Sequence, residues 1–276
     1  VEGFPDPRVL RRNTGYALDE LLETPPYRGK KARYSDFNLC KLLAGSEGTL
    51  LFITEATLNL VPQPPPYKAL VPIHFNSVMD AIRGNLYALK HAPTAVELMD
   101  KTILDCTKEN LTQRKNRFFL SGDPGAILIV ELVDSDESVL LKRISIMEKE
   151  MRAAGMGTHF PVVRGGDIKK VWALRKAGLG VLSNIPGEGR PVSVIEDTSV
   201  HVEVLEDYIS EFNQLLEKYE LNCVYHAHIS VGELHLRPIL NLKDARDIKL
   251  FHDLARESAL LVKKYRGSLS GEHGDG

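Results

Sequence analysis

The stretch "KALVPIHFNSVMDAIRGNLYALKHAPTAVELM", residues 68–99, decides the fold. "KALVPIHF" reads as a strand, residues 77 to about 91 as a helix, and "TAVELM" as a second strand. Beyond it the alternation continues through a helix to Asn110, a strand "AILIVELV", a helix "SVLLKRISIMEKEMRAAG" and a strand "THFPVV". A helix "DIKKVWALRKAGLGVL", a strand "VSVIEDTSV", a helix "VEVLEDYISEFNQLLEKY", the strands of "YHAHISVGELHLRP" and a helix "DARDIKLFHDLARESALLVKKY" complete it. Short strands alternating with longer helices indicate an α/β or α+β sandwich, sheet on one side and helices on the other; α+β, with an antiparallel sheet and helices on one face, is the class expected. Two strand-helix-strand halves suit a ferredoxin-like duplication.

Upstream, "NTGYALDELL" carries Leu18, Leu21 and Leu22 at helical spacing, and "ETPPYRGKKARYSDF" is a polar loop. In "NLCKLLAGSEGTLLFITEATLNLV" a short helix and a glycine-bracketed turn lead to the alternating residues Leu51, Ile53, Glu55, Thr57 and Asn59, which read as strands. "PQPPPY", residues 62–67, is a stiff linker and the best boundary in the chain. The units expected are therefore residues 1–62, 67–225 and 226–276. A start at Val1 and a stop at "GEHGDG" read as the ends of a piece of a longer polypeptide, whose last residues are expected to be disordered or misplaced.

The 276 residues are 43 % hydrophobic and 26 % charged, a globular composition. Net charge is -2 and the 35 basic residues are scattered, so nothing tracks a phosphate backbone and nucleic acid is not an expected partner. The three cysteines, Cys40, Cys106 and Cys223, stand far apart. They offer neither a disulfide framework nor an iron-sulfur ligand set, which fits a reducing, cytoplasmic compartment. No apolar run reaches the roughly eighteen residues of a membrane span, and no leader precedes the first unit.

His228 and His235 lie seven residues apart. In one strand that odd interval sends them to opposite faces, so "SVGEL", with Gly232, must turn the chain if both are to meet one ion. Two imidazoles and a carboxylate form a common set for a divalent metal, with Glu272 the nearest acidic candidate and His273 left over as acid or base. The alternative is a set of strand histidines hydrogen-bonded at a sheet edge. "GSEGTL" is either a phosphate-cradling turn or an ordinary glycine turn. Arg175 could grip a substrate carboxylate in a bidentate fashion, or be a solvated helix residue. Arg237, placed by alternation on the face of His235, invites the same two readings. Glu196 and Asp197 are adjacent, which predicts opposite strand faces and argues against a paired-carboxylate glycosidase.

Taken in order, "NTGYALDELL", "LLAGSEGTLLFITEATLNLVP", "AVELMD", "VWALRKAG", "VIEDTSV", "YHAHISVGELHLRP" and "GSLSGEHGDG" resemble FAD-linked oxidases of the vanillyl-alcohol oxidase type. The most similar branch is the D-2-hydroxyacid dehydrogenases: D-lactate dehydrogenases, the glycolate oxidase flavin subunit and D-2-hydroxyglutarate dehydrogenase. "LHLRP" and "SGEHGDG" look most like larger members in which an iron-sulfur region follows the flavoprotein part. The resemblance implies that residues 1–62 are the second part of an FAD-binding domain, with Asn13, Gly15, Tyr16, Gly45, Ser46, Gly48 and Thr49 near the cofactor. It implies a substrate-binding cap over 67–225 and a returning segment over 226–276.

The same resemblance nominates His228, His235 and Glu272 as ligands of a divalent metal such as zinc or manganese, His273 as the base, and Arg175 as the substrate grip. Flavin would accept hydride from C2 of a small 2-hydroxyacid. "SVGE" replaces the usual "GDGN" between the histidines, and Arg237 stands where relatives have asparagine, which suits a second substrate carboxylate. The glycine-rich pyrophosphate loop and any iron-sulfur ligands lie outside these residues, so the chain alone is expected to bind FAD poorly and to be inactive. The electron acceptor and oligomeric state are left open; the parent is expected in the cytoplasm, with room for a peripheral membrane association. Two other readings stay open: a metal-dependent hydrolase or lyase without flavin, and a non-catalytic α/β ligand-binding module.

Overall fold

The computed structural model describes residues 3–23 and 38–274; the expected polar loop "ETPPYRGKKARYSDF" falls, except for Glu23, outside the described residues. Two short helices, α1 (Leu18–Glu23) and α2 (Cys40–Leu43), precede the proline-rich linker. After it come β1 (Tyr67–Phe75), α3 (Val78–Leu89), β2 (Ala95–Asp100), α4 (Lys101–Cys106), β3 (Ala126–Asp134), α5 (Glu137–Ala153) and β4 (Val163–Arg164). The second half comprises α6 (Ile168–Val181), β5 (Arg190–Pro191), β6 (Ile195–Ser199), α7 (Leu205–Lys218), β7 (Cys223–His228), β8 (Glu233–Leu240) and α8 (Ala245–Lys264).

These strands make one antiparallel sheet in the order β4-β1-β3-β2-β7-β8-β5, with β6 also pairing β8. In the first half β3 lies between β1 and β2, the strands joined through α3; in the second, β8 lies between β6 and β7, joined through α7. The expected ferredoxin-like duplication is thus two split strand-helix-strand units side by side, fused where Met99 of β2 faces His226 of β7. Residue 225, where the cap was expected to end, lies inside β7.

Side-chain chemistry sets the helix starts. Ser77 Oγ accepts the Asp80 N–H at 3.1 Å, Asp100 accepts from Ile103 N at 3.0 Å, and Asp136 accepts from Ser138 N at 2.7 Å. Apolar residues then recur every three or four positions, as in Leu205, Tyr208, Ile209, Phe212 and Leu216 of α7. One sheet face buries Val71, Leu98, Leu128 and Leu236 against α3, α5, α7 and the end of α8. On the other face, Leu70, Met99, Ile127 and Ile129 meet Ile103 and Leu104 of α4 and Val171 and Leu174 of α6, so helices also cover part of that side.

Three local expectations are corrected. "THFPVV" forms only the two-residue β4 and a single bridge between His74 and His159, because Pro161 has no N–H to give a ladder. The helix after β2 stops at Cys106, and a 3-10 turn, Arg114–Arg117, follows. Residues 51–59 form no strand; no described strand pairs with them, and Phe52 and Leu60 are 90 % and 95 % exposed. Alternation supplies a face, while a ladder also needs a neighbour.

Candidate metal and active site

The histidines sit on the tight β7-β8 hairpin. A 3-10 turn, Ile229–Val231, ends at Gly232 with φ 76°, where a Cβ would lie 1.9 Å from the Val200 carbonyl oxygen. Only glycine fits there, and it is the turn that the seven-residue interval required. His226 pairs directly with His235, and His228 with Glu233, so all four side chains project from one face. His226 stacks on His235 with ring centroids 4.7 Å apart, and His228 meets His235 edge-on at 5.2 Å.

Each candidate ligand is oriented from behind. His228 Nδ1 bonds Glu97 Oε1 at 2.7 Å, and Arg175 donates to Glu97 Oε2 from Nε at 3.0 Å and from Nη2 at 2.8 Å. His235 Nδ1 donates to the Glu196 carbonyl, and the Glu196 carboxylate pairs with Arg237. Both Nδ1 atoms are therefore occupied, which leaves each Nε2 lone pair to face the cluster. Potential ligand atoms of His228, Glu233, His235 and Glu272 all lie within 4.8 Å of one another. This donor set of two nitrogens and two oxygens, backed by hydrogen-bonded partners, fits a divalent cation.

The third expected ligand arrives on the tail. Asp197 accepts the Ser270 hydroxyl at 2.7 Å, the backbone N–H groups of Gly271 and His273 at 2.9 Å, and that of Glu272 at 3.0 Å. This carboxylate fixes "SGEH" against β6. Glu272 Oε1 then stands 3.8 Å from His228 Nε2 and 3.6 Å from His273 Nε2. The expectation of disorder is thereby corrected for the tail up to Gly274; the last two residues lie outside the described ones. Glu196 and Asp197 are not on opposite faces either. A bulge between Ile195 and Thr198 lets Glu196 reach Arg237 while Asp197 closes on the Glu233 side of the same β8 face.

Electrostatics follow this packing. Burial raises Asp197, but the neighbouring Glu233 carboxyl and the hydrogen bonds from His273, Ser270 and Glu272 outweigh burial and hold it below its ordinary value. The Glu97 hydrogen bond raises His228 against the effect of burial, whereas burial lowers His235. Burial and the neighbouring His235, Arg175 and Arg237 bring His226 down to about 2, so it is neutral. Burial, Asp197 and Glu272 push Glu233 up to about 8.

Sequence reasoning missed Glu97, Asp197 and Glu233 as members of the site, together with Arg11, whose guanidinium lies 3.5 Å from Glu233 and 3.4 Å from Glu272. Glu97 does carry a signal, since it is the carboxylate inside the otherwise apolar run "AVELM". The residues nominated for FAD converge beside the tail. Asn13 donates to Ser270 O at 2.8 Å and to Glu272 O at 3.3 Å, and Tyr16 bonds Thr49 at 2.7 Å. Ser46 is buried, its carbonyl accepts the Thr49 N–H at 3.0 Å, and Gly15, Gly45 and Gly48 have φ of 67°, 81° and 73°. Backbone of that kind can approach a ligand closely.

Residues 64–276 match the family described as FAD linked oxidases, C-terminal domain. A D-2-hydroxyglutarate dehydrogenase of Haemophilus influenzae is 33 % identical over 98 % of this chain, which spans 26 % of that protein. The enzyme of the same name from Escherichia coli is 30 % identical over 100 % of the chain and 27 % of its own length. A D-lactate dehydrogenase of Archaeoglobus fulgidus is 26 % identical over 88 % of the chain and 50 % of its length. The chain thus spans about a quarter of the first two relatives. Among solved structures, alkyldihydroxyacetonephosphate synthase superposes with a TM-score of 0.51 at 17 % identity, over 84 % of this chain and 45 % of that one. This likeness establishes the fold alone.

Proposed function

The chain belongs to the FAD-linked oxidases through their C-terminal domain, and from that premise we propose that the protein containing it oxidises a D-2-hydroxyacid to the 2-oxoacid. The observation that carries the proposal is the convergence of two histidines with unshared Nε2 atoms, Glu272 and His273 on one sheet face. In this reading His228, His235 and Glu272 hold a divalent cation such as zinc or manganese, and residues 1–62, with Asn13, Gly15, Tyr16, Gly45, Ser46, Gly48 and Thr49, complete an FAD site. Residues 67–225 form the cap and 226–276 return toward the flavin. The cation would lower the pKa of the substrate hydroxyl, and FAD would take the C2 hydride.

The chain's own residues supply binding and proton handling. His273 is half-exposed beside Glu272, and the Asp197 nest fixes its backbone, so its imidazole takes the hydroxyl proton. Arg175 and Arg237 flank the histidines and supply positive charge for the substrate carboxylates. Arg237 keeps a buried Nε–H without a partner, a donor suited to a second carboxylate and hence to 2-hydroxyglutarate. Any iron-sulfur cluster belongs outside this chain.

The test is anaerobic addition of D-2-hydroxyglutarate, D-lactate and glycolate to the full-length protein while its visible spectrum is recorded. Bleaching of a flavin band by one acid is expected, with the dicarboxylate preferred and that preference lost in Arg237→Ala. A colourless full-length protein overturns the reading and leaves a metal-dependent hydrolase or lyase in its place.

A further inference from the structure

Glu233 begins β8 directly after the forced glycine turn, and its side chain is 0 % exposed. Neither carboxylate oxygen has a hydrogen-bond partner. Its nearest cation is Arg11, whose Nε lies 3.5 Å away and whose Nη1 pairs with Glu272 instead. The neighbouring Asp197 carboxylate brings no donor, being occupied by the hydroxyl and N–H groups of the tail. Gly271 presses from the other side, where a Cβ would meet the Glu233 carboxyl carbon at 3.0 Å. A sealed carboxylate without donors destabilises a fold unless something else neutralises it.

The surrounding charges do not. In the protonation state that binds a metal, with all carboxyls ionised and the histidines neutral, Glu97, Glu196, Asp197, Glu233 and Glu272 outnumber the guanidiniums of Arg11, Arg175 and Arg237 by two negative charges. One divalent cation carries that charge. Glu233 oxygen lies within 4.8 Å of the ligand atoms of His228, His235 and Glu272, so it can reach the same ion.

We propose that Glu233 is a fourth, interior ligand, which makes the site one of two histidines and two glutamates. The inference rests on the metal site proposed above and adds a selectivity to it. Four protein ligands close a tetrahedral zinc, whereas an octahedral cation of the manganese type keeps two positions open, as many as a 2-hydroxycarboxylate fills with its hydroxyl and carboxylate oxygens. Arg11 then ties the two ligating glutamates to the N-terminal segment.

The experiment uses the 276-residue chain stripped with chelator. Titration calorimetry with Mn2+, and separately Zn2+, gives affinity, and thermal melts give stability with and without metal. Wild type is expected to bind one equivalent of Mn2+. Glu233→Gln is expected to weaken binding by about 100-fold or more, beyond the roughly 10–100-fold that removal of an outer partner, as in Glu97→Gln, costs. Without metal, Glu233→Gln melts about 3 °C or more above wild type, because the cost of burying or protonating that carboxylate is gone; with metal the order reverses. A merely structural glutamate would not show opposite signs. The fourth ligand is overturned if Glu233→Gln binds within about threefold of wild type and its metal-free melt is unchanged. If wild type binds neither Mn2+ nor Zn2+ and His235→Ala behaves identically, the metal site itself is overturned and the inference falls with it.

Discussion

The two split strand-helix-strand units share a topology and differ in what their second face does. In the first unit, β1 and β3 are largely apolar on both faces, His74 and Glu131 aside, and α4 and α6 seal the side away from α3 and α5. In the second, β7 and β8 are apolar toward α7, while the opposite face carries Val224 and Ile239 at one end and then His226, His228, Glu233, His235 and Arg237. One topology thus serves as scaffold in one copy and as a site in the other, according to the residues at alternate positions. The first unit also lends the second an orienting charge, Glu97 of β2, held by Arg175 of α6, the helix that seals the first unit's second face.

The strongest way to break this contrast is a pair of substitutions on equivalent faces. Ile129→Ala, at a position 0 % exposed in the first unit, is expected to cost about 2–5 kcal/mol through lost burial and the cavity left. His235→Leu in the metal-free second unit keeps the bulk but leaves the Glu196 carbonyl without its donor, so the expected loss is about 1–3 kcal/mol, smaller than for Ile129→Ala. Denaturant unfolding of both metal-free variants checks the pair. Equal losses would mean that the polar face is as much a folding core as the apolar one.

A smaller effect tests the loan from one unit to the other. Arg175→Gln leaves Glu97 with half its partners in a pocket where both side chains are largely buried. The expected loss is about 1.5–3 kcal/mol, the range for hydrogen bonds to charged groups. Metal affinity should fall roughly 10–100-fold as well, because Glu97 no longer holds the His228 ring firmly. A stability loss with unchanged metal affinity would make Arg175 a structural cation only.

Much of this was legible in the sequence and some of it could not be. Periodicity located β1, β2, β3 and the helices from α3 to α8, since strands and helices that bury a face must show it. The odd interval between His228 and His235 announced the hairpin, and Gly232 supplied it. Asp197 escaped because a bulge cancels alternation locally, and nothing in "VIEDTSV" marks the extra residue. Glu97 and Glu233 escaped because their partners come from α6 and the N-terminal segment, at separations that no local pattern encodes. Residues 51–59 show the reverse failure, an alternating pattern with no neighbouring strand among the described residues to pair it.

The smallest expected effect separates the units by acid. His74 of β1 is 1 % exposed, with Nδ1 3.4 Å from the His159 carbonyl and Nε2 accepting the Ser121 N–H at 3.5 Å, an arrangement for a neutral ring. Burial lowers its pKa to about 4, against 6.5 for an ordinary histidine. The unfolded chain therefore binds this proton more readily than the folded one, so the contribution is complete above pH 6.5 and is lost as pH falls toward 4. The loss over that window is on the order of 1 kcal/mol once partial solvent screening is allowed for. His74→Gln keeps a donor and an acceptor but cannot titrate, so its melting temperature should fall less than that of wild type between pH 6.5 and 4. Because His74 lies in the scaffold unit, Mn2+ should leave this difference in slope intact. A slope that Mn2+ abolishes would place the acid sensitivity in the histidines of the other unit.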